Sequence, residues 1–291
     1  MIPRSFEYFS PRALDEAVSL LQKLGPEAKI LSGGQSLIPM MKLRLVSPPY
    51  IIDINHIPGL NYISELNGSL RIGALARESD LEVSPAVTSR FPILVDTTSV
   101  IADPLVRNQA TVCGNLAHGD PANDHPATML ALGASLVAVG PTGEREIPVE
   151  SFFTGLFTTA LQPDEILKEI RVPAQAPSSG GAYLKLERKV GDYATAGVAV
   201  QVSLNDAGVC RRAGIGLTNV GFSPLKAKKA EAFLAGKALD QSTIKQAAEL
   251  AAGESQPIDD IRGSADYKRD LVRVLTTRAL TRAFERAKGG A

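Results

Sequence analysis

The chain has 291 residues, 44% hydrophobic and 21% charged, enough for a substantial core shared by two or three small domains. Its 31 basic residues are balanced by 31 acidic ones, which excludes a nucleic-acid surface, since that needs a basic excess. Its two cysteines, Cys113 and Cys210, cannot hold an iron–sulfur cluster, which takes about four thiolates at close spacing. With no apolar leader after Met1-Ile2-Pro3-Arg4, the two are expected as reduced thiols in a cytoplasmic protein. No run of about 18 apolar residues is present to span a membrane.

Taken in chain order, Glu7-Tyr8-Phe9 reads as a short strand, followed by Ser10 as an N-cap and Pro11 at a first helical position. Leu14, Ala17, Val18 and Leu21 recur at helical spacing up to Gly25. Lys29-Ile30-Leu31 and Ile51-Ile52-Asp53-Ile54 are further strands, so residues 1–55 are expected to form a small, partly parallel α/β subdomain. From Asn55 the texture changes. Leu70–Gly73 and Leu136–Val139 read as strands, and Gly140-Pro141-Thr142-Gly143 is a turn before another near Ile147. Helical pieces lie between them, one beginning near Ala127, so residues 56–176 are expected to be a second, mixed-sheet subdomain.

Pro173 and Pro177-Ser178-Ser179-Gly180-Gly181 read as a connector. Beyond it, Tyr183–Glu187, Ala196–Leu204 and Val209–Leu217 are strand candidates, the last two joined by an Asn205-Asp206-Ala207-Gly208 hairpin turn. A closing helix over Ala265–Ala287 places Leu271, Val274, Leu275 and Leu280 at helical intervals. Residues 177–291 are therefore expected to be an antiparallel sheet backed by helices, and the chain as a whole to be α+β.

Two glycine-centred loops carry the chemistry. Ser32-Gly33-Gly34-Gln35-Ser36 leaves a strand; its adjacent glycines permit positive φ and remove Cβ atoms that would block a ligand. Successive N–H groups in such a turn can hold an anion, with the Ser36 hydroxyl as a further donor. Thr111-Val112-Cys113-Gly114-Asn115 is the second loop, preceded by a stretch with no apolar period. Each alone reads as an ordinary turn. Neither is a phosphate-binding Gly-Lys-Ser/Thr loop or a G-x-G-x-x-G dinucleotide fingerprint. His118 and His125 flank Asp120 and Asp124, but the spacing fits no standard zinc pattern, and a polar loop with helix-capping carboxylates is expected instead.

The two loops, with Gly33–Leu45, His118–Ala127 and Lys189–Ala196, resemble the FAD-binding medium subunit of the molybdenum hydroxylase (xanthine dehydrogenase) superfamily. Within it these stretches look closest to the aerobic carbon monoxide dehydrogenase branch, and the resemblance runs the length of the chain. It implies a PCMH-type FAD-binding fold over the first two subdomains. It further implies that Ser32, Gly33, Gly34, Gln35, Ser36, Thr111, Val112, Cys113, Gly114 and Asn115 wrap the FAD pyrophosphate. Asp124 matches a carboxylate near the ribityl and phosphate portion, Leu167 and Lys185 match further flavin contacts, and Tyr193 an aromatic beside the isoalloxazine ring.

The implied function is electron transfer within an oxidoreductase that converts CO and water to CO2. Electrons leave a molybdenum cofactor on a large partner subunit, cross [2Fe–2S] clusters on a small one, and reach FAD on this chain. Quinone or another carrier takes them onward, since no NAD fingerprint is present. A dimer of heterotrimers and peripheral association with the inner face of the cytoplasmic membrane through the complex are also implied. A related aldehyde, purine or N-heterocycle dehydrogenase, or a self-contained FAD oxidoreductase, stays open. Two positions depart from the family pattern: Gln35 stands where histidine is usual, and Cys113 replaces the first of two glycines. The Val112 and Cys113 side chains are expected to turn away from the cofactor.

Overall fold

A computed structural model describes residues 2–289; Met1 and residues 290–291, the outermost parts of the first and last expected domains, lie outside it. Strands β1 (Glu7–Phe9), β2 (Ala28–Leu31) and β3 (Tyr50–Asp53) form a parallel sheet in the order β1-β3-β2. Parallel pairing needs a crossover, and α1 (Leu14–Leu24) supplies it, burying Ala17, Val18 and Leu21 on one face. The helix starts later than Ser10 and Pro11 suggest. Ala13 is its N-cap, and the Glu16 carboxylate accepts from the Arg12 N–H at 2.8 Å. A short helix, α2 (Leu37–Lys42), follows the first glycine loop.

The second sheet is antiparallel. It contains β4 (Ile63–Leu66), β5 (Ser69–Gly73), β6 (Ser135–Gly140), β7 (Gly143–Pro148) and β10 (Ile166–Pro173), in the order β4-β5-β10-β6-β7; β8 (Phe153–Gly155) and β9 (Thr158–Thr159) pair separately. Sequence reading passes over two of its strands, the edge strand β4 and the middle strand β10. In β10 buried Ile166, Leu167, Glu169, Ile170 and Val172 do not alternate cleanly because a bulge at Leu167/Glu169 shifts the register, and Pro173 closes the strand rather than opening a connector. Helices α3 (Glu78–Val83), α4 (Pro85–Thr88), α5 (Pro92–Ser99), α6 (Pro104–Arg107), α7 (Val112–His118) and α8 (Asp124–Leu132) fill the stretch between β5 and β6.

The third sheet, antiparallel, runs β11 (Ser179–Leu186), β12 (Ala196–Leu204), β13 (Cys210–Thr218) and β14 (Leu225–Lys226) in that order. The expected connector at 177–181 is partly wrong: Ser179, Gly180 and Gly181 already pair with Ser203, Val202 and Gln201. One face of this sheet carries α9 (Lys228–Leu234), α10 (Gln241–Glu254) and α11 (Ala265–Ala287). Helix α11 spans the expected residues and is capped by Ser264 Oγ, which accepts from the Tyr267 N–H at 3.2 Å; its Val274, however, is exposed.

The other face packs on α5 and α8. All nine residues of α8 are buried, and its backbone lies directly on β13, where a Cβ on Gly214 or Gly216 would stand 2.0 Å from the Ala131 or Ala127 carbonyl oxygen. One apolar cluster therefore joins Leu130 and Leu132 of α8, Leu136 and Ile170 of the second sheet, and Tyr183 and Ala199 of the third. No helix among the described residues is long and apolar enough to cross a membrane.

Candidate functional site

In a parallel sheet, ligands collect at the carboxyl ends of the strands. The first glycine loop leaves the carboxyl end of β2, beside Asp53 at the end of β3. The second is not a free loop. Thr111 is the N-cap of α7, its Oγ1 accepting from the Gly114 N–H at 3.2 Å, so residues 112–115 are the first turn of a helix. This seven-residue helix has no apolar period to betray it; threonine before the turn was the available signal.

The fold brings the two segments into contact. Ser32 Oγ and Thr111 Oγ1 lie 3.0 Å apart, although 79 positions separate them in sequence. A Cβ on Gly33 would stand 2.4 Å from Gln109 O and 2.8 Å from Ala110 Cα and Thr111 N. That glycine is thus required by the close approach of the second segment, beyond any ligand that it admits. Gly34 has φ +77°, the left-handed region that side chains avoid. Gln35 is exposed, and Ser36 precedes α2 with its hydroxyl in no capping bond.

Val112 and Cys113 point into the core, both essentially inaccessible, with Cys113 Sγ 3.7 Å from Ile72 O. Burial pushes the Cys113 thiol well above its ordinary value. A Cβ on Gly114 would meet Thr111 Oγ1 at 2.5 Å. Asn115 presents a side-chain oxygen that is buried and has no partner, while its carbonyl accepts from Asn123 Nδ2 at 2.7 Å. That bond ties the second segment to the start of α8.

There Asp124, the first residue of α8, is buried against the third sheet. Its Oδ1 accepts from the Tyr183 hydroxyl at 2.5 Å and its Oδ2 from Lys185 Nζ at 3.1 Å. Burial raises the Asp124 pKa, an effect opposed by Lys185 and by the Tyr183 hydrogen bond; burial and the Asp124 charge raise that of Tyr183 well above its ordinary value. Lys185 Nζ also donates to Asp192 O at 3.0 Å and pairs with Glu187 at 3.2 Å. Next along, Tyr193 is 44% exposed, with the Arg262 guanidinium 5.9 Å from its ring centre and the Asp192 carboxylate held by Arg262 and Arg188.

Asp124, Lys185 and Tyr193 are thus assembled in one place, joined through Asn123 to the second segment. Leu167 is not among them: it is buried at the β10 bulge in the apolar cluster that holds Val112 and Cys113. Tyr183 was missed in the sequence. The signal existed, because residues 183 and 185 share one face of β11. His125 is no part of a polar loop. It is fully buried, Nε2 2.6 Å from Glu78 Oε2, and no metal-type grouping of side chains occurs among the described residues. A cleft of about 610 Å³ between the β4–β5 turn and residues 174–179 is lined by none of the candidate residues.

The chain is similar to known proteins along its whole length. Residues 4–175 match the family described as FAD binding domain in molybdopterin dehydrogenase, and residues 181–283 match the CO dehydrogenase flavoprotein C-terminal domain. The carbon monoxide dehydrogenase medium chain of Hydrogenophaga pseudoflava is 46% identical over 98% of this chain and 99% of its own length. That of Afipia carboxidovorans is 43% identical over 99% of this chain and 100% of its own. A chain in the structure of carbon monoxide dehydrogenase from Hydrogenophaga pseudoflava, in the form lacking the Mo-pyranopterin moiety of the molybdenum cofactor, superposes with a TM-score of 0.96 at 47% identity, covering 98% of this chain and 99% of that one. The chain belongs to the FAD-binding family of the molybdopterin dehydrogenases, with the flavoprotein C-terminal domain of the carbon monoxide dehydrogenases behind it.

Proposed function

We propose that this chain is the flavoprotein subunit of an aerobic carbon monoxide dehydrogenase and holds FAD between residues 32–36 and 111–115, with Asp124, Leu167, Lys185 and Tyr193 as further cofactor contacts. The observation that carries the reading is the direct contact of two distant glycine-bearing segments, Ser32 Oγ to Thr111 Oγ1, beside the unpartnered buried oxygen of Asn115, in a chain of this family. These residues suit the cofactor: the Gly34 turn offers backbone N–H groups to phosphate oxygens, the first turn of α7 adds the Cys113 N–H, since those of Val112, Gly114 and Asn115 already donate to Ala76 O, Thr111 Oγ1 and Thr111 O, and Asn115 keeps an acceptor for a hydroxyl or amide. Leu167 would act from beneath α7.

When bound, FAD supplies a ring that accepts and releases electrons singly or in pairs, chemistry that belongs to the cofactor rather than to the chain. The chain's own work is to bind, orient and limit access. Buried Lys185, fixed by Asp124 and Asp192 O, keeps a cation at the junction of the second and third sheets. Tyr193, half in solvent, is suited to cover or uncover the ring. The absence of clustered cysteines agrees with iron–sulfur clusters on a small partner subunit and the molybdenum cofactor on a large one. We further propose a dimer of such heterotrimers, with quinone as acceptor and contact with the cytoplasmic membrane through the complex. The domain division at 55/56 and 176/177 is part of this reading.

The test is purification of the intact complex with mass analysis of its cofactors and partner chains, followed by assay of CO-dependent quinone reduction. Bound FAD, three kinds of subunit and turnover with CO are expected. Faster turnover with an aldehyde, purine or N-heterocycle would replace the substrate. Reduction of flavin by a small organic molecule on the isolated full-length chain would overturn the electron-transfer role.

A further inference from the structure

We propose that Asn55 and Arg77 form a strap across the back of the two glycine-bearing segments and are positioning residues for the cofactor cradle, an inference that rests on the FAD assignment of residues 32–36 and 111–115. Asn55 lies just beyond the carboxyl end of β3, and its amide is fixed from below. Asp53 Oδ1 accepts from the Asn55 backbone N–H at 2.9 Å and from its Nδ2 at 2.6 Å, while Asp53 Oδ2 accepts from the Tyr8 hydroxyl at 2.6 Å. The same Nδ2 donates to Ser32 O, in the first segment, at 2.7 Å.

Asn55 Oδ1 then accepts from Arg77 Nη2 at 2.7 Å, and the second arm of that guanidinium, Nη1, donates to Gln109 O at 2.6 Å. Gln109 O is the atom that a Cβ on Gly33 would strike at 2.4 Å. The fork therefore spans the seam where the two segments touch. The backbone around Arg77 reinforces the second side: Arg77 bridges Thr111, the Glu78 N–H donates to Ala110 O at 3.0 Å, and the Val112 N–H donates to Ala76 O at 3.1 Å.

Removing the strap leaves the Ser32–Thr111 hydroxyl contact as the direct side-chain hydrogen bond between the segments. An arginine is needed here because its planar fork reaches two acceptors at once; a lysine ammonium on a flexible stem reaches one. Both arms end on neutral oxygens; burial lowers the Arg77 pKa, and the nearby Asp80 and Asp53 carboxylates oppose that shift.

The experiment titrates the full-length apo chain with FAD and follows the thermal midpoint of each apo variant. Asn55→Ala and Arg77→Ala are each expected to weaken FAD roughly tenfold, the scale of one charge-assisted hydrogen bond. The double variant should be no weaker than the more affected single one, because both break one strap, and the apo midpoints should stay close to that of the unaltered chain. Arg77→Lys should fall with Arg77→Ala, and it serves alone if the alanine variant does not fold. Thr111→Val is the loop control. If it weakens FAD while the strap variants do not, the strap is wrong. If Thr111→Val leaves FAD binding unchanged, the loop assignment itself fails. Losses that add in the double variant and follow falling apo midpoints would show a general structural role instead.

Discussion

The two segments proposed to hold the cofactor look alike on paper, each a short polar stretch around glycine, yet they use that residue for different reasons. In the first, Gly33 is demanded by neighbouring backbone and Gly34 by a left-handed φ. In the second, the position of Cys113 lies within a helical turn and faces the core, so a side chain there is accommodated rather than tolerated. The departure from a second glycine therefore costs the cradle nothing that the geometry reveals. A glycine motif is a record of several distinct constraints, and only some of them concern the ligand.

The sharpest way to break this contrast is Gly33→Ala. With its Cβ within 3 Å of three backbone atoms, it should part the two segments, cost about 3 kcal/mol or more and abolish FAD binding. A urea midpoint near that of the unaltered chain would disprove the claim. Cys113→Gly should cost roughly 2 kcal/mol, from the lost buried sulfur and the lower helix propensity, while FAD affinity stays the same. Loss of affinity would give the Cys113 side chain, and not only its backbone, a part in the cradle.

Gly34→Ala comes next, at about 1–2 kcal/mol of left-handed strain, because its Cβ would meet the movable end of Ile38 rather than backbone. The smallest effect is chemical. Burial raises both thiols, Cys210 to about 11 and Cys113 further, so near pH 8 both stay protonated and covered. Neither should react with a thiol reagent until the chain unfolds, and labelling of Cys113 in the native state would refute its buried place.

Sequence reading succeeded where a pattern is local and repeated. Ala265–Ala287 carries a serine cap and a long helical period, and the hairpin between β12 and β13 sits at an asparagine-to-glycine turn. It failed where long-range geometry decides. Strand β10 is central only because four other strands surround it, and Ser179–Gly181 is strand only because β12 pairs with it. The site divides likewise. Asp124, Lys185 and Tyr193 follow from resemblance, but Tyr183, Asn55 and Arg77 gain their meaning from partners 22 to 59 positions distant. For Asn55 and Arg77 no local pattern could have announced them.

Helix α8 belongs by sequence to the FAD-binding half, yet β13 closes over its backbone and the third sheet completes its apolar surroundings. The family boundary between residues 175 and 181 is therefore a border in descent and not in free energy. Cutting the chain there would strip one side of a wholly buried helix and expose Asp124 without Lys185. Anyone grafting this flavin module onto another protein would have to carry the third sheet with it.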